Sequence, residues 1–476
     1  MTTKKELNEL FSLQRSAYSR SKPRTYEERI DSLERVDKLL RENMDQLIQA
    51  LQKDFGQRDP LQIVGADLSS PLSAVPYIKK RLRKWMKPDR KKSGILGLLG
   101  TKQFIMNEPL GVVGIISPFN APIDLAFDPA IEALAAGNRV MLKISEYTPQ
   151  TTELLQHLVA QYFEPEILTV ITGEQEISTA FSALPWDKLV FTGSSATGKK
   201  VMASAAKNLT PVLLELGGKN PAIVLSDADM ALTAKKIARG RGGNSGQICL
   251  SVNYALVPED KLEQYVEMIS AELTTAYPTY HENPEFSALI NPAAYERVDS
   301  ILTEAKERGA QIIELNPNHE KMPDKDNRLF PFTLVINPDR DLRVSHEEIF
   351  GPILSIFTYN KLEEAITFIN RHEKSLALYI FGHNTKQIDQ ILNQTSSGGV
   401  DINELSLHAG SHEMGFGGVG YSGMGRYKGG KIGFEAFSNA KAVYQQGTLA
   451  KYTSRFMTPI HNPKDKKLYN RLMGIK

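Results

Sequence analysis

The pattern of apolar and polar residues changes along the chain. Apolar residues recur every three or four positions between residues 30 and 51, which predicts one long amphipathic helix. From Gly111 onward, short apolar runs alternate with stretches of helical character such as 123–136 and 197–206. Alternation of this kind predicts an α/β protein with parallel sheets and right-handed crossovers, an architecture typical of dinucleotide-binding proteins.

The apolar runs form two sets of predicted strands, separated at Gly217. The first set is 111–116, 139–144, 168–171, 188–191 and 212–215, and the second is 222–225, 254–257, 333–336, 353–359, 377–381 and 399–403. Ligands bind beyond the carboxyl ends of the strands in open parallel sheets. Asn120, Lys143, Gly193 and Glu215 fall at or near those ends, so they are candidate site residues.

Composition and charge exclude several classes of function. The chain has 476 residues, more than one domain usually holds, and 57 basic against 55 acidic side chains leave a net charge of +2. No overall field therefore recruits nucleic acid or a membrane. No apolar run approaches the roughly 18 residues of a membrane span, and the N-terminus lacks the apolar core of a secretory signal. A single cysteine excludes an intrachain disulfide and fits a reducing, cytoplasmic location.

One local exception to this charge balance is the stretch 79–92, which carries nine lysines and arginines against one aspartate. Such a run is either a nucleic-acid patch or the solvated face of a helix. We favour the helix face, because a single cationic run on a nearly neutral protein is common.

Four short motifs occur in a fixed order. Asn120 follows Ser-Pro-Phe, Glu215 lies in Leu-Glu-Leu-Gly-Gly-Lys, Cys249 ends Asn-Ser-Gly-Gln-Ile-Cys, and residues 347–352 read Glu-Glu-Ile-Phe-Gly-Pro. Together they resemble the aldehyde dehydrogenase superfamily, and the resemblance extends from about residue 10 to residue 446. It looks closest to the coniferyl-aldehyde and fatty-aldehyde branch, through the segments 27–30, 182–186, 420–425 and 434–438.

The chemistry of an aldehyde explains why such a site needs these residue types. The carbonyl carbon releases hydride only after a nucleophile has made it tetrahedral, and a thiolate adds readily and leaves a thioester that water cleaves. The resemblance implies that Cys249 is this nucleophile. An ordinary cysteine has a pKa of about 8.5 and is mostly a thiol at neutral pH, so the site must activate it. A lone cysteine with no such context would be a small buried apolar residue.

The resemblance also assigns the groups around the nucleophile. The side-chain amide of Asn120 and the backbone N–H of Cys249 would donate to the oxyanion, and Glu215 would be the general base for the hydrolytic water. Each assignment has a simpler alternative. Asn120 is equally typical of a turn after a proline, and Glu215 of an ion pair at the end of a strand.

The cofactor contacts are expected from the first α/β region. The residues that the resemblance implies are Lys143 and Glu146 on the adenosine ribose, Gly193, Ser194 and Gly198 at a strand–turn–helix junction facing the pyrophosphate, Leu216, and Glu348 with Phe350 on the nicotinamide side. The junction reads G-x-x-x-x-G instead of the common G-x-G-x-x-G fingerprint. Glu146 disfavours a 2′-phosphate, so we expect NAD, with NADP possible. An exposed Lys–Glu pair is the alternative for Lys143 and Glu146, and no metal is expected.

Several departures from the family pattern bear on the substrate. Phe119 stands where tryptophan is usual, and Ile144 where proline is usual. Ala121 stands where an aromatic residue often lines the aldehyde entrance, which predicts room for bulky or aromatic aldehydes. The tail 447–476 is basic and polar, unlike the membrane-spanning tail of some fatty-aldehyde members.

The predicted domain organisation follows from the same resemblance. It comprises a Rossmann-type cofactor domain (1–90 and 110–216), an α/β catalytic domain (217–430), a small β bridging element (91–109 and 431–446) and the tail 447–476. The bridging strands make a homodimer natural. Two functional alternatives remain: a dehydrogenase that passes its thioester to coenzyme A, and a catalytically silent binding protein on the same scaffold.

Overall fold

The computed structural model describes residues 1–98, 100–447, 457 and 459–475, so part of the predicted tail 447–476 lies outside the described residues. The strands in chain order are β1 (Asp89–Lys91), β2 (Lys102–Pro109), β3 (Val112–Ile116), β4 (Arg139–Lys143), β5 (Leu168–Ile171), β6 (Lys188–Thr192), β7 (Val212–Glu215), β8 (Pro221–Val224), β9 (Tyr254–Pro258), β10 (Gln311–Leu315), β11 (Phe332–Ile336), β12 (Ile353–Tyr359), β13 (Ser375–Phe381), β14 (Ser397–Ile402), β15 (Gly423–Met424) and β16 (Ser438–Gln445).

The helices flank these strands. In chain order they are α1 (Lys4–Arg20), α2 (Tyr26–Glu42), α3 (Met44–Phe55), α4 (Pro60–Ile63), α5 (Ser69–Trp85), α6 (Gly94–Leu98), α7 (Asp124–Ala135), α8 (Pro149–Tyr162), α9 (Gln175–Ser182), α10 (Ser195–Ala206), α11 (Met230–Gly242), α12 (Leu262–Ala276), α13 (Pro292–Glu307), α14 (Arg343–His346), α15 (Leu362–Arg371), α16 (Thr385–Gln394), α17 (Lys431–Ala436) and α18 (Pro463–Leu472). Within the described part of the chain, none of them has the length and apolar character needed to cross a membrane.

The first sheet has the order β15-β7-β6-β3-β4-β5, and its strands β3 to β7 are parallel. These strands are buried almost throughout, which explains why each was recognisable as an apolar run. Because they are parallel, their carboxyl ends meet at one edge of the sheet. Lys143 ends β4 and Glu215 ends β7 at that edge.

The second sheet has the order β10-β11-β12-β9-β8-β13-β14 and is parallel except for β10, which pairs antiparallel with β11 at one edge. The strand β10 was not predicted from the sequence. That strand is mostly exposed or half-buried, with only Leu315 buried, so it does not form a continuous apolar run.

The third sheet has the order β1-β2-β16, with β16 antiparallel to β2 from Ser438 opposite Pro109 to Gln445 opposite Lys102. It contains the strands expected for the bridging element, although β1 begins at Asp89, before the predicted bound, and α6 lies between β1 and β2. Most side chains of β16 are exposed. The predicted domain bounds and the homodimer stay predictions.

The single long helix predicted over residues 30–51 is wrong: two helices, α2 and α3, meet at Asn43. The backbone of Asn43 leaves the helical region, with φ −116° and ψ 17°, and its side-chain amide donates to the Leu39 carbonyl at 2.8 Å. Asparagine competes with the helical hydrogen bonds in this way. The apolar spacing survives the break, because Leu33, Leu40 and Leu47 all lie in the same buried core.

The glycine-dense loop 415–430 contacts the first sheet. Its short strand β15 pairs antiparallel with β7, with Gly423 opposite Glu215. Gly423 has a φ of +156°, and an added Cβ would lie 2.5 Å from the Leu214 carbonyl oxygen, so a glycine is required there. The strand β15 of the segment predicted as the catalytic domain, 217–430, therefore belongs to the first sheet.

The basic stretch 79–92 includes the end of α5. Lys79 pairs with Glu34 at 2.6 Å, and the Arg81 guanidinium lies 3.7 Å from the centre of the Tyr77 ring. Leu82, in the same helix, is buried. This arrangement favours the interpretation as one face of an amphipathic helix.

Candidate active site

Cys249 lies in a loop between α11 and β9 whose conformation is fixed by a buried amide. After α11 the backbone turns through the left-handed region at Asn244 (φ 48°) and Ser245 (φ 50°). Gln247 is fully buried, and its side chain donates to the carbonyl oxygens of Asn244 at 3.1 Å and Ala288 at 3.0 Å. Buried and satisfied amides of this kind hold a loop rigidly.

The thiol itself is half-buried and packs at the margin of the main core. The side-chain amide of Asn220 donates to the Cys249 carbonyl at 2.6 Å and to the Ser251 carbonyl at 3.1 Å. Asn220 follows the Gly217-Gly218 turn, so the Glu215 motif and the Cys249 loop are joined directly. Asn220 was not predicted from the sequence as a site residue. Its position five residues after Glu215 was the feature of the sequence that pointed to it.

Asn120 lies beside this loop. It is buried, and its backbone carbonyl is 3.5 Å from the side-chain amide nitrogen of Asn244. Among the described residues, neither the Asn120 side-chain amide nor the Cys249 backbone N–H donates a hydrogen bond. The structure thus brings the predicted donors into neighbouring loops and leaves both of them available.

Glu215 ends β7 and is 2% exposed, yet neither of its carboxylate oxygens has a hydrogen-bond partner within the described residues. Burial raises its pKa well above the usual value, while the positive charges of Lys428 and Arg426 act in the opposite direction. A buried carboxyl without a partner is costly unless it has a task. The ion-pair alternative for Glu215 lacks a direct partner in the described structure.

The electrostatic surroundings oppose ionisation of the thiol. Burial, Glu348 and Glu215 together raise the pKa of Cys249 to about 12, and Lys428 lowers it by less. Taken together, the described groups around Cys249 therefore do not lower the pKa of its thiol.

A buried charge cluster around Lys428 was missed by the sequence analysis. The Lys428 ammonium lies 2.7 Å from Asp128 and 3.3 Å from Asp124, and the Lys428 backbone N–H donates to Glu132 at 3.0 Å. The three acids lie four residues apart along one face of α7, which is otherwise apolar. The spacing of the three acids was the feature of the sequence that pointed to a cluster. Their partner could not be predicted, because Lys428 is 304 residues from Asp124 in the chain.

We expect Lys428→Met to move the acid limb of the pH–rate profile to higher pH. The Lys428 charge favours ionised Glu215, so its loss raises the Glu215 pKa further. A base acts when ionised, so activity then begins at a higher pH. Steady-state rates across pH test this expectation. Lys431→Met, which removes an exposed lysine nearby, is the control, and an unchanged limb in folded Lys428→Met would contradict the assignment.

Part of the candidate cofactor site borders a cleft of 370 Å³ lined by Ser195, Gly217, Glu348 and Tyr421, among others. Glu348 Oε1 is buried and has no hydrogen-bond partner among the described residues, so it can accept from a ribose hydroxyl. A Cβ added at Gly217 would lie 1.8 Å from Glu348 Oε2, so the chain passes this carboxylate closely. Burial raises the pKa of Glu348 to about 7. The residues present fit a dinucleotide.

The junction between β6 and α10 has the predicted form. Ser194 caps α10 by accepting from the Thr197 N–H at 3.2 Å. Gly193 donates its N–H to the Glu215 carbonyl at 3.0 Å, and a Cβ added at Gly198 would lie 2.7 Å from the Leu216 side chain. Gly198 therefore permits the close packing of α10 on the strand ends, and the helix N-terminus faces the cleft through Ser195.

Lys143 and Glu146 form a second group at the same sheet edge. Lys143 is 1% exposed, and its ammonium donates to the Ile144 carbonyl at 2.6 Å and lies 3.7 Å from the Glu146 carboxylate. The alternative of an exposed pair is thus wrong for Lys143. Within the described structure, no hydrogen bond or ion pair joins Lys143 and Glu146 to Ser194 or Glu348. These are two separate candidate contact sites, and the two ends of a dinucleotide would occupy one each.

Phe350, which the resemblance assigns to the nicotinamide side, contacts the Asn120 loop. Its ring centre lies 5.8 Å from that of Phe119, in an edge-to-face arrangement, and Phe119 lies 6.0 Å from Tyr147. Within one short motif, Glu348 therefore lines the cleft and Phe350 contacts the loop that carries Asn120.

Comparisons with known proteins agree with this arrangement. The family model described as "Aldehyde dehydrogenase family" matches residues 1–443. The chain is 40% identical over 442 residues to the "Probable coniferyl aldehyde dehydrogenase" of Caulobacter vibrioides, covering 92% of this chain and 91% of that protein. It is 38% identical over 454 residues to the "Coniferyl aldehyde dehydrogenase" of a Pseudomonas species, covering 95% and 94%.

A solved structure supports the fold directly. The substrate-bound state of Staphylococcus aureus AldH superposes with a TM-score of 0.90 at 31% identity, covering 100% of this chain and 99% of that one. The predicted fold and the predicted resemblance are both confirmed. The chain belongs to the aldehyde dehydrogenase family and is an NAD(P)-dependent oxidoreductase of that family.

Proposed function

We propose that this protein uses NAD to oxidise a bulky or aromatic aldehyde to its carboxylic acid through a thioester on Cys249. The observation that carries the proposal is the convergence of the Asn120 and Cys249 loops at Asn244, with their donors unengaged. The buried, unpartnered carboxyl of Glu215 supplies the base.

The first chemical step forms a bond between the Cys249 sulfur and the carbonyl carbon. The carbonyl oxygen becomes an oxyanion, which accepts hydrogen bonds from the Asn120 amide and the Cys249 backbone N–H. Two donors aimed at a developing charge are worth about 2.7–4 kcal/mol each. The thiol proton passes through water to the solvent, so Glu215 enters the second step ionised. The bound dinucleotide supplies the hydride acceptor, after which the thioester remains on the sulfur.

The second step is hydrolysis. Glu215 takes a proton from a water molecule as its oxygen attacks the thioester carbon, the carbon–sulfur bond breaks, and the acid leaves with the thiol restored. A general base contributes about 10²–10⁴-fold to such a step. The raised pKa of Glu215 suits this work, because the ionised carboxylate of a weaker acid binds the proton more strongly.

The preference for NAD is supported by Glu146. Its carboxylate is held near buried Lys143, where the resemblance places the adenosine ribose. A negative charge there accepts hydrogen bonds from ribose hydroxyls and repels a 2′-phosphate. Lys143 and Glu146, Ser194 and the α10 N-terminus, and Glu348 with Phe350 would hold successive parts of the cofactor.

The substrate class is supported by the names of the two relatives and by Ala121, which is buried directly after Asn120. We expect the kcat/KM of the wild-type enzyme to be higher for aromatic aldehydes than for short aliphatic ones. Ala121→Tyr should lower the aromatic kcat/KM by about tenfold, since filling a pocket costs roughly 1–3 kcal/mol. Steady-state kinetics with paired aldehydes and with both NAD and NADP measures this.

Ala121→Ser is the matched control, because it changes polarity but adds little volume. The pocket assignment fails if short aliphatic aldehydes give the highest kcat/KM and aromatic ones are inert.

The two alternatives, acyl transfer to coenzyme A and a silent scaffold, are not favoured by the relatives. Identifying the product as free acid or acyl-coenzyme A separates the first from the proposal. A homodimeric, cytoplasmic enzyme completes the proposal, supported by the exposed strand β16 and the single cysteine.

A further inference from the structure

A buried ion pair behind Asn120 takes no part in the steps above. Arg58 follows α3, and Asp67 lies in the π-helical turn Val64–Leu68. Their side chains are fully buried, with Arg58 Nη2 3.0 Å from Asp67 Oδ2. A buried pair is expensive to desolvate, and well-packed apolar residues usually stabilise a fold as well or better. Its presence therefore calls for an explanation other than stability.

The pair holds the Asn120 turn from both sides. Arg58 Nη2 donates to the Asn120 carbonyl at 3.1 Å. Three residues later, the Ile123 backbone N–H donates to Asp67 Oδ1 at 3.2 Å. The two charged side chains, bound to each other, thus connect the start and the end of the turn that presents the Asn120 amide.

The Asn120 side chain depends on this support. Among the described residues it donates no hydrogen bond that would fix its own direction, so its aim follows from its backbone. Two side chains contact the backbone carbonyl of Asn120, that of Arg58 and, at 3.5 Å, that of Asn244. A displacement of about 1 Å at a reacting group can cost about 10²-fold in rate.

We propose that Arg58 and Asp67 are positioning residues for Asn120, setting the direction in which its amide meets the oxyanion. The inference rests on the proposed role of Asn120. The pair does not touch the substrate in this scheme. Its contribution appears only in the rate of the step that forms the oxyanion.

The test measures the first turnover of the full-length enzyme by rapid mixing with NAD and an aromatic aldehyde. We expect Arg58→Met to slow NADH formation in the first turnover by about 10- to 100-fold, with the KM for NAD nearly unchanged. Arg58→Lys should recover part of the rate. Arg29→Met is the matched control, because Arg29 is another buried arginine that donates to backbone carbonyls, those of Arg24 and Ala135.

A double-mutant cycle with Asn120→Ala separates positioning from a general structural role. If Arg58 acts through Asn120, the double variant Arg58→Met/Asn120→Ala is as slow as Asn120→Ala alone. If the two losses multiply, the positioning role is overturned. If Asn120→Ala itself leaves the first turnover unchanged, the proposed role of Asn120 fails instead.

Asp67→Asn keeps the test decisive if Arg58→Met does not fold. It retains the oxygen that accepts from Ile123 and removes the charge that holds Arg58. We expect a smaller loss in the same first-turnover rate, absent in the Asn120→Ala background. An equal loss in both backgrounds would overturn the inference.

Discussion

Replacing Cys249 by alanine is expected to abolish aldehyde oxidation, with a fall in kcat of more than about 10³-fold. Without the sulfur no bond forms to the carbonyl carbon, so the carbon stays trigonal and holds its hydride. In the proposed mechanism Glu215 removes a proton and forms no bond to carbon, so it does not replace the sulfur. NADH formation with an aromatic aldehyde measures the loss.

The same variant should bind the cofactor as well as the wild type does. The candidate contacts Lys143, Ser194 and Glu348 do not include the thiol, and alanine at position 249 leaves the Asn220 hydrogen bond to the backbone carbonyl intact. A titration with NAD followed by protein fluorescence, together with a melting curve, verifies both points. Oxidation at the wild-type rate by folded Cys249→Ala would overturn the mechanism, and weak binding of NAD would show that the change had disturbed more than the nucleophile.

The strands were predictable because they are buried on both faces. A parallel strand covered by helices on each side reads as an uninterrupted apolar run, so β5, β7 and β12 match their predicted bounds. Elements with mixed surroundings were not predictable in this way. The strand β10 lies at a sheet edge with only Leu315 buried, and β15 consists of Gly423 and Met424 alone, two residues with no periodicity to detect.

The candidate site was predictable where its residues lie in short motifs. Glu215 ends β7 just before Gly217-Gly218, Asn120 follows β3 after Ser-Pro-Phe, and Cys249 ends the Asn-Ser-Gly-Gln-Ile-Cys motif in the loop before β9. The charges that tune them come from elsewhere in the chain. Arg58 reaches Asn120 across 62 positions and Lys428 reaches Asp124 across 304, and only the folded packing brings such partners together.

Glu215→Gln is expected to separate the two chemical steps. The first turnover should still release NADH in a burst, while steady turnover falls by about 10²–10⁴-fold because no base activates the water. The acylated form of Cys249 then accumulates, and mass spectrometry of the intact protein after mixing with NAD and aldehyde detects the added acyl mass. The wild-type protein, in which hydrolysis continues, is measured in parallel.

The substitution is mild in structural terms, which makes its outcome informative. Burial already keeps the pKa of Glu215 high, so the site accepts an uncharged group, and glutamine has nearly the same shape as the protonated acid. The packing is close here, since a Cβ added at Gly417 would lie 3.0 Å from Glu215 Oε1, and glutamine respects that limit. Asn120→Ala provides the contrast, because it should slow the burst itself and leave little acyl-enzyme. If Glu215→Gln turned over at the parent rate, another group must activate the water, and the candidate is Glu348, whose pKa burial raises to about 7 and whose charge acts on the Cys249 thiol.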